Sequence, residues 1–376
     1  MEGYKEIGRK RMRLLHLFEK LVTEATPEEL LKLQQVLIDK ISSLPVEGEQ
    51  GEKTATLIDK IEQALRDVDA GGRVASVLGR VTAINDDDVQ KATNKLAKII
   101  AAIDFTGPQI KELFAQWNAN KLVNTGLLLS PGSSSHAEIY RGYGSNPAFT
   151  EFVDDLNQVS GYGIGEGEFT LAVLSKTISG IGAQGGSGDL IVDGKNVEVK
   201  TRSVGAARFT DRDVSVSSNY TQLVDQFITR YKDLIEDSGL KLPAAGMNLK
   251  HLTGFANSLQ DPKHKSAFKK DISNLLQNIF TKGVDTSPLT DAIVNGNNGV
   301  ALQLYAQANV NNYLSIKREK GALEGILFID KNKDSLVYIQ QASDLDKTDM
   351  RFHMETAYVV AMVKPDQYPF PQMYIK

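Results

Sequence analysis

Gly188 to Lys200 reads GDLIVDGKNVEVK, two short apolar strands around a tight turn. Asp193-Gly194 is a strong two-residue hairpin signal, because a type I′ turn needs positive φ at both of its central positions. A two-residue loop there sets Val192 opposite Lys195, Ile191 opposite Asn196, Leu190 opposite Val197, and Asp189 opposite Glu198. The pleat has a period of two, so Glu198 and Lys200 share one face while Val197 and Val199 share the other. A register slip of one residue would break the arrangement.

Two carboxylates facing each other across a ladder repel, and a like-charged cross-strand pair destabilises a sheet unless something compensates it. A divalent cation is the natural compensator. Carboxylate oxygens and retained waters suit Mg²⁺ or Mn²⁺, while the absence of cysteine and only five histidines argue against zinc here. Such an ion polarises a phosphoryl oxygen and lowers the pKa of a bound water. Lys200 is placed to orient that water or to meet charge growing on a phosphate. The plainer reading is an exposed hairpin whose acids face solvent, with Lys200 neutralising Glu198. Against it stand the apolar strands on both sides of the turn and the glycines 185, 186 and 188, which clear space before Asp189. A glycine-flanked glutamate also opens the preceding helix.

GDLIVDGKNVEVK resembles the hairpin signature of the PD-(D/E)XK nuclease superfamily, with an acid on the first strand and E-x-K on the second. The upstream GIGEGEF and TLAVL segments are similar to that family's first core helix, which often supplies a further carboxylate. The resemblance implies that Asp189 and Glu198 bind metal, with Glu168 as the helix acid and Val199 among the metal contacts. It makes Lys200 the catalytic lysine, and leaves Glu166 as the other candidate for the helix acid. The implied cofactor is Mg²⁺ or Mn²⁺, the implied partner DNA, and the implied activity phosphodiester hydrolysis, with an endonuclease favoured. One departure is that Gly188, not proline, precedes Asp189. The glycine-rich form of the motif also resembles proteins encoded by tailed phages, which points to the host cytoplasm or the virion and leaves homo-oligomers or virion partners open.

The implied fold class is mixed α/β (α+β): a restriction-endonuclease-like mixed-sheet core flanked by an N-terminal helical domain and a helical insertion. The family's core runs helix, three strands, helix, strand. This order maps onto 167–179, 189–192, 196–201, about 213–217, 299–318 and 326–330. Around that core the chain divides into an N-terminal helical domain (1–123) and a loop-rich connection (124–160). The first part of the core (161–218) follows, then the helical insertion (219–298), the second part (299–345) and a C-terminal segment (346–376).

Helical spacing of Leu14, Leu17, Phe18 and Leu21, and a capping box with proline at Thr26-Pro27-Glu28-Glu29, support the N-terminal helices. Asp86, Asp87 and Asp88 precede an apolar helical repeat and read as caps rather than ligands. Trp117 reads as core. In the insertion, Leu223, Phe227 and Leu234 mark one helix, and Phe268, Ile272, Leu275 and Ile279 another. Residues 326–330 and 335–339 read as paired strands.

The chain has 376 residues, 41% hydrophobic and 24% charged, which is ordinary for a globular protein with a real core. A net charge of −4 gives no global basic field, so DNA contact must use local patches. Candidates are Lys195, Lys200, Arg202, Arg208 and Arg212, then Lys250, His251, Lys263, His264, Lys265, Lys269 and Lys270. Lys317, Arg318 and Lys320 complete the set, and each group is also readable as a solvated face. The absence of cysteine removes disulfides and thiolate chemistry. No apolar run reaches membrane-spanning length, so the expectation is a protein with no membrane partner.

Several motifs are set aside. Gly161, Gly163, Gly165 and Gly167 have no strand leading into them, as a dinucleotide loop requires. Asp330, Asn332 and Asp334 imitate the start of an EF-hand, but Ser335 stands where glycine belongs and Gln341 where glutamate belongs. His136 has no second histidine at ligand spacing. Two competing functions remain: a structural or assembly protein of a phage particle that retains the fold, and a DNA-binding module that never cleaves.

Overall fold

A computed structural model describes residue 116 and residues 119–157, 167–175, 177–179, 188–202, 207–211, 213–365 and 367–376. The expected helices before residue 116, Asp86 to Asp88, Trp117, Glu166, Gly185, Gly186 and Arg212 lie outside these residues.

The described residues form a mixed α+β fold. Helix α1 (Thr125–Leu128), strand β1 (Gly132–Ser135), and helices α2 (His136–Ile139), α3 (Pro147–Asn157) and α4 (Glu168–Leu174) come first. Strands β2 (Ile178–Ser179), β3 (Leu190–Val192) and β4 (Lys195–Arg202) follow. A largely helical stretch comes next: α5 (Tyr220–Asp237), β5 (Gly246–Asn248), α6 (Leu249–Ser258), α7 (Pro262–Ile279), α8 (Ser287–Val294) and α9 (Asn298–Lys320). The chain then adds β6 (Leu323–Asp330), β7 (Ser335–Ile339), β8 (Met350–Phe352), β9 (Tyr358–Ala361) and β10 (Met373–Ile375).

Six strands pair in the order β1-β7-β6-β4-β3-β2, antiparallel throughout except between β4 and β6. A parallel join needs a long crossover, which the stretch from α5 to α9 supplies. Along the chain the sheet is therefore built as α4, three antiparallel strands β2, β3 and β4, helix α9, and the parallel strand β6. Residues 213–217, expected as the third strand, are not one. Asp211 and Val214 bridge each other in a tight turn, and Asp211 and Asp213 pair with Lys317 and Lys320 of α9. These ion pairs hold the segment against the helix rather than at a sheet edge. The place beside β4 goes to β6, whose run LEGILFID is buried along most of its length, as a strand covered on both faces should be. The expected loop at 124–160 also contains structure. Gly132-Ser133-Ser134-Ser135 carries no strand-forming side chain, yet pairs with β7 as the outermost strand.

The hairpin turn has the backbone its residues demand, with φ of 48° at Asp193 and 80° at Gly194. Its register runs Val192 to Lys195, Ile191 to Asn196 and Leu190 to Val197, where the ladder ends. Asp189 is not a ladder partner of Glu198, contrary to expectation. Its N–H donates to the Val197 carbonyl at 2.9 Å, and its side chain accepts the Val199 N–H at 2.8 Å in place of the next ladder bond. Gly188 permits this crossing: its φ is 137°, and a Cβ there would stand 2.9 Å from the Val197 carbonyl oxygen. Any side chain would be strained by both counts.

Two cores share helix α9. On one face of the sheet, Ile326, Phe328, Val337 and Ile339 pack with Val310, Tyr313 and Leu314. Glu198 pairs in register with Ile326 and Lys200 with Phe328, so both side chains belong to this face. On the opposite face Leu327, Leu336 and Tyr338 meet Leu127, Leu128 and Ile139. The insertion forms its own core around edge-on aromatic contacts, with Phe268 5.5 Å from Phe255 and 5.8 Å from Tyr231. Tyr305 of α9 belongs to that core and Tyr313 to the sheet's. Burying a large apolar side chain contributes about 1.5–3 kcal/mol, so two such cores readily offset a few buried charges.

Candidate functional site

The end of β3, the middle of β4 and the last turns of α9 bring five titratable groups together. Asp189 is a strongly perturbed carboxyl. Burial, then repulsion from Glu198, raise its pKa to about 6, against the lowering effects of the Val199 N–H, Lys200 and Lys317. Both causes penalise the ionised form.

Glu198 is almost fully buried, 1% exposed, and is ringed by donors. Lys200 Nζ lies 2.7 Å from Oε1, which also accepts the Tyr313 hydroxyl at 2.5 Å. Lys317 Nζ lies 3.2 Å from Oε2, close enough for an ion pair but not aligned as a hydrogen bond. Lys317 is itself buried and also pairs with Asp211. Burial lowers the Lys317 pKa, but its bonds to Asp211 and Glu198 outweigh burial and raise it. Tyr313 is pushed far above its ordinary range by burial and by Glu198, so it acts only as a donor. Lys200 and Lys317 approach the Tyr313 ring to 5.2 and 5.7 Å, a cation–π geometry that adds to the cluster.

Three carboxylates (Asp189, Glu198, Asp211) thus meet two ammonium groups (Lys200, Lys317). Sequence reasoning found Asp189, Glu198 and Lys200 but missed Tyr313, Lys317 and Asp211. Lys317 reads from the sequence as a phosphate contact or a solvated cation, whereas it is buried one helical turn past Tyr313. The i, i+4 spacing of those two residues was the available signal.

The other expected residues are placed differently. Glu168 opens α4 and is buried, 5% exposed. The residue before it, Gly167, lies against Ile329, whose neighbour in the strand, Phe328, belongs to the Glu198 face. By the alternation of the pleat, Ile329 points to the other side. Accordingly, among the described residues Asp189, Glu198 and Glu168 do not gather three ligand oxygens within 4.8 Å. Val199 touches the site through its N–H on Asp189.

Most of the expected phosphate contacts are already engaged. Arg202 pairs with the fully buried Asp330 at 3.1 Å, Lys195 with Glu324 at 3.2 Å and Lys269 with Asp291 at 2.6 Å. Arg318 holds the carbonyls of Leu323, Glu324 and Gln340. Arg208 is half-buried, and burial lowers its pKa. Lys250, Lys263 and Lys270 stay exposed on the insertion.

A second cluster lies at the turn between β6 and β7. His136, Asp154 and Asp334 bring one ligand atom each within 4.8 Å of one another. The ring of His136 is buried, 1% exposed, between Tyr140 and Tyr143 at 5.5 and 5.3 Å. No second histidine stands at ligand spacing from His136, and its neighbours in the fold are carboxylates instead. The EF-hand imitation at Asp330, Asn332 and Asp334 is a hairpin turn.

Comparison of the chain with protein-family models, with curated proteins and with solved structures returned no match. No helix among the described residues is long and apolar enough to cross a membrane.

Proposed function

We propose that the chain is a divalent-metal-dependent nuclease that hydrolyses DNA phosphodiester bonds, favouring internal cuts, with a PD-(D/E)XK site at Asp189, Glu198 and Lys200. The observation that carries this reading is the junction of β3 and β4. There the half-buried Asp189, with its pKa raised to about 6, stands against the buried Glu198, which has a lysine 2.7 Å away. The chain order α4, β2, β3, β4, α9, β6 also supports it, because it follows the helix, three strands, helix, strand of that superfamily with β2 in place of residues 213–217.

The donor set fits Mg²⁺ or Mn²⁺. Both acids offer only oxygen, and Mg²⁺ is commonly held by one or two carboxylates with the rest of its shell left to water and substrate phosphate. Asp189 and Glu198 would hold it, without Glu168, which does not gather with them. Such an ion supplies a polarised phosphoryl oxygen and a water of lowered pKa. Asp189 binds only when ionised, which sets the lower pH limit of activity. Lys200, beside Glu198, would orient the attacking water or stabilise charge on the phosphate. Lys317 and Tyr313 keep the Glu198 carboxylate aimed from behind. On this reading DNA is the partner, and the protein works in a host cytoplasm or a virion.

One observation favours a second reading. Glu198 already has two ammonium groups and a hydroxyl around it, so its charge is compensated without a metal, as suits a phage assembly protein that retains the fold but no longer cleaves. A supercoiled-plasmid assay separates the two. The nuclease reading expects nicking with Mg²⁺ or Mn²⁺, none with EDTA, and a loss of about 100-fold or more in Asp189→Ala and Lys200→Ala, the scale of removing a transition-state donor. Absence of nicking, or equal nicking by all three proteins, sinks it.

A further inference from the structure

We infer that His136, Asp154 and Asp334 form a second, separate binding site for a divalent transition-metal ion. It is built at the β6–β7 turn from residues that have no part in the proposed cleavage.

The starting point is an anomaly of satisfaction. His136 is 1% exposed, and neither ring nitrogen has a hydrogen-bond partner among the described residues. Buried polar atoms in native proteins nearly always have partners, and an orphan points to a water or an ion. A buried imidazole with both nitrogens idle loses hydration and gains nothing in exchange. The capping box of Ser135 and Glu138 fixes the start of α2 and so holds the His136 backbone. Tyr140 and Tyr143 then pack edge-on against the ring.

The surroundings say what the orphan serves. Nδ1 lies 3.6 Å from Asp334 Oδ1, too far for a hydrogen bond. Two atoms each about 2.1 Å from one metal ion stand roughly 3.0–3.4 Å apart, so this gap is close to a ligand–ligand distance. Asp154 completes the set, with one ligand atom from each residue within 4.8 Å of the others. Its Oδ1 accepts the Tyr143 hydroxyl at 2.8 Å, an outer-shell bond that fixes the carboxylate's direction. Asp334 is on the turn with its side chain 63% exposed, so it has freedom to close the last ångström and leaves a side open to water.

Burial lowers the His136 pKa, against the pull of the two aspartates, and a neutral imidazole offers a lone pair to a metal. One imidazole nitrogen with two carboxylates suits Zn²⁺, Mn²⁺ or Co²⁺ better than Mg²⁺ or Ca²⁺, which prefer oxygen alone. The site differs in kind from the all-oxygen pair at Asp189 and Glu198.

The test is Zn²⁺ titration by calorimetry of EDTA-stripped full-length protein, compared across wild type, Asp189→Asn, His136→Gln and Asp334→Asn. Wild type and Asp189→Asn should share one Zn²⁺-binding event. His136→Gln and Asp334→Asn should each weaken it by tenfold or more, since even outer-shell losses cost about 10–100-fold. Asp334 is exposed and asparagine tolerates its φ of 47°, so that variant keeps the fold even if His136→Gln does not. The inference is overturned if wild type takes up no Zn²⁺, if Asp334→Asn binds as wild type does, or if Asp189→Asn alone abolishes binding.

Discussion

The β3–β4 hairpin and the β6–β7 turn lie on the same sheet and handle buried titratable groups in opposite ways. At the hairpin, Glu198 is surrounded by its own counterions, Lys200 and Lys317, with the Tyr313 hydroxyl as a third donor. At the turn, His136 is buried with both nitrogens idle beside two aspartates. The hairpin is balanced apart from Asp189, whose carboxyl carries the excess. The turn is balanced by nothing the described residues provide. A buried group that brings its own compensation tolerates an added ligand, whereas an orphaned one points to a water or an ion.

Removing the hairpin's compensation should make it behave like the turn. Lys317→Met leaves Glu198 and Asp211 facing each other without their shared cation, and breaking a buried pair costs about 3–5 kcal/mol. Urea melts without metal should show that loss, and Mg²⁺ should restore part of it. A variant as stable as wild type would mean that Lys317 is not the counterion.

The next effect has the opposite sign. Folding raises the Asp189 pKa from 3.8 to about 6, so the folded chain keeps the proton between about pH 4 and 6 while the unfolded chain has released it. Ionising Asp189 in the fold therefore costs stability, a penalty absent below about pH 4 and complete above about pH 6. Asp189→Asn should stabilise the protein by roughly 2–3 kcal/mol at pH 7 to 8, with the gain fading as pH falls through that window. Denaturation at several pH values reads this directly, and a gain independent of pH would contradict it. Cleavage by wild type should fall on the acid side of about pH 6 for the same reason.

A smaller effect concerns position. Gly188→Ala puts a Cβ 2.9 Å from the Val197 carbonyl oxygen at a φ of 137°, at a cost of about 1–3 kcal/mol. It should lower cleavage further by displacing Asp189, and a silent variant would show that the crossing is not tight. Smallest of all, Asp334→Asn at the exposed turn should change metal-free stability by no more than about 0.5 kcal/mol. A larger loss would mean that Asp334 already balances His136 without a metal.

Where the sequence carries local chemistry, the fold was legible. Asp193-Gly194 dictates its own turn and with it the register of three residue pairs, and the apolar runs at 326–330 and 335–339 are strands because both are buried. Long-range contacts were not legible. Gly132 to Ser135 is a strand only because β7 lies beside it, and 213–217 is not one because Asp211 and Asp213 reach lysines on α9. That helix hid Tyr313 and Lys317, since burial on all sides leaves no one-sided stripe to mark the face toward the sheet. In the candidate site, Asp189, Glu198 and Lys200 were found through hairpin geometry. Tyr313 and Lys317 were missed because more than a hundred residues of chain separate each of them from Glu198.

If Asp189 and Glu198 close on one divalent ion, the hairpin is a target for iron-directed backbone cleavage. Fe²⁺ with ascorbate and peroxide cuts a chain beside the ion it replaces, and mass spectrometry maps the cuts. Scission should appear next to residues 189 and 198, diminish with excess Mg²⁺, and vanish in Asp189→Asn. Scission confined to the neighbourhood of His136 and Asp334, or none at all, would contradict the account.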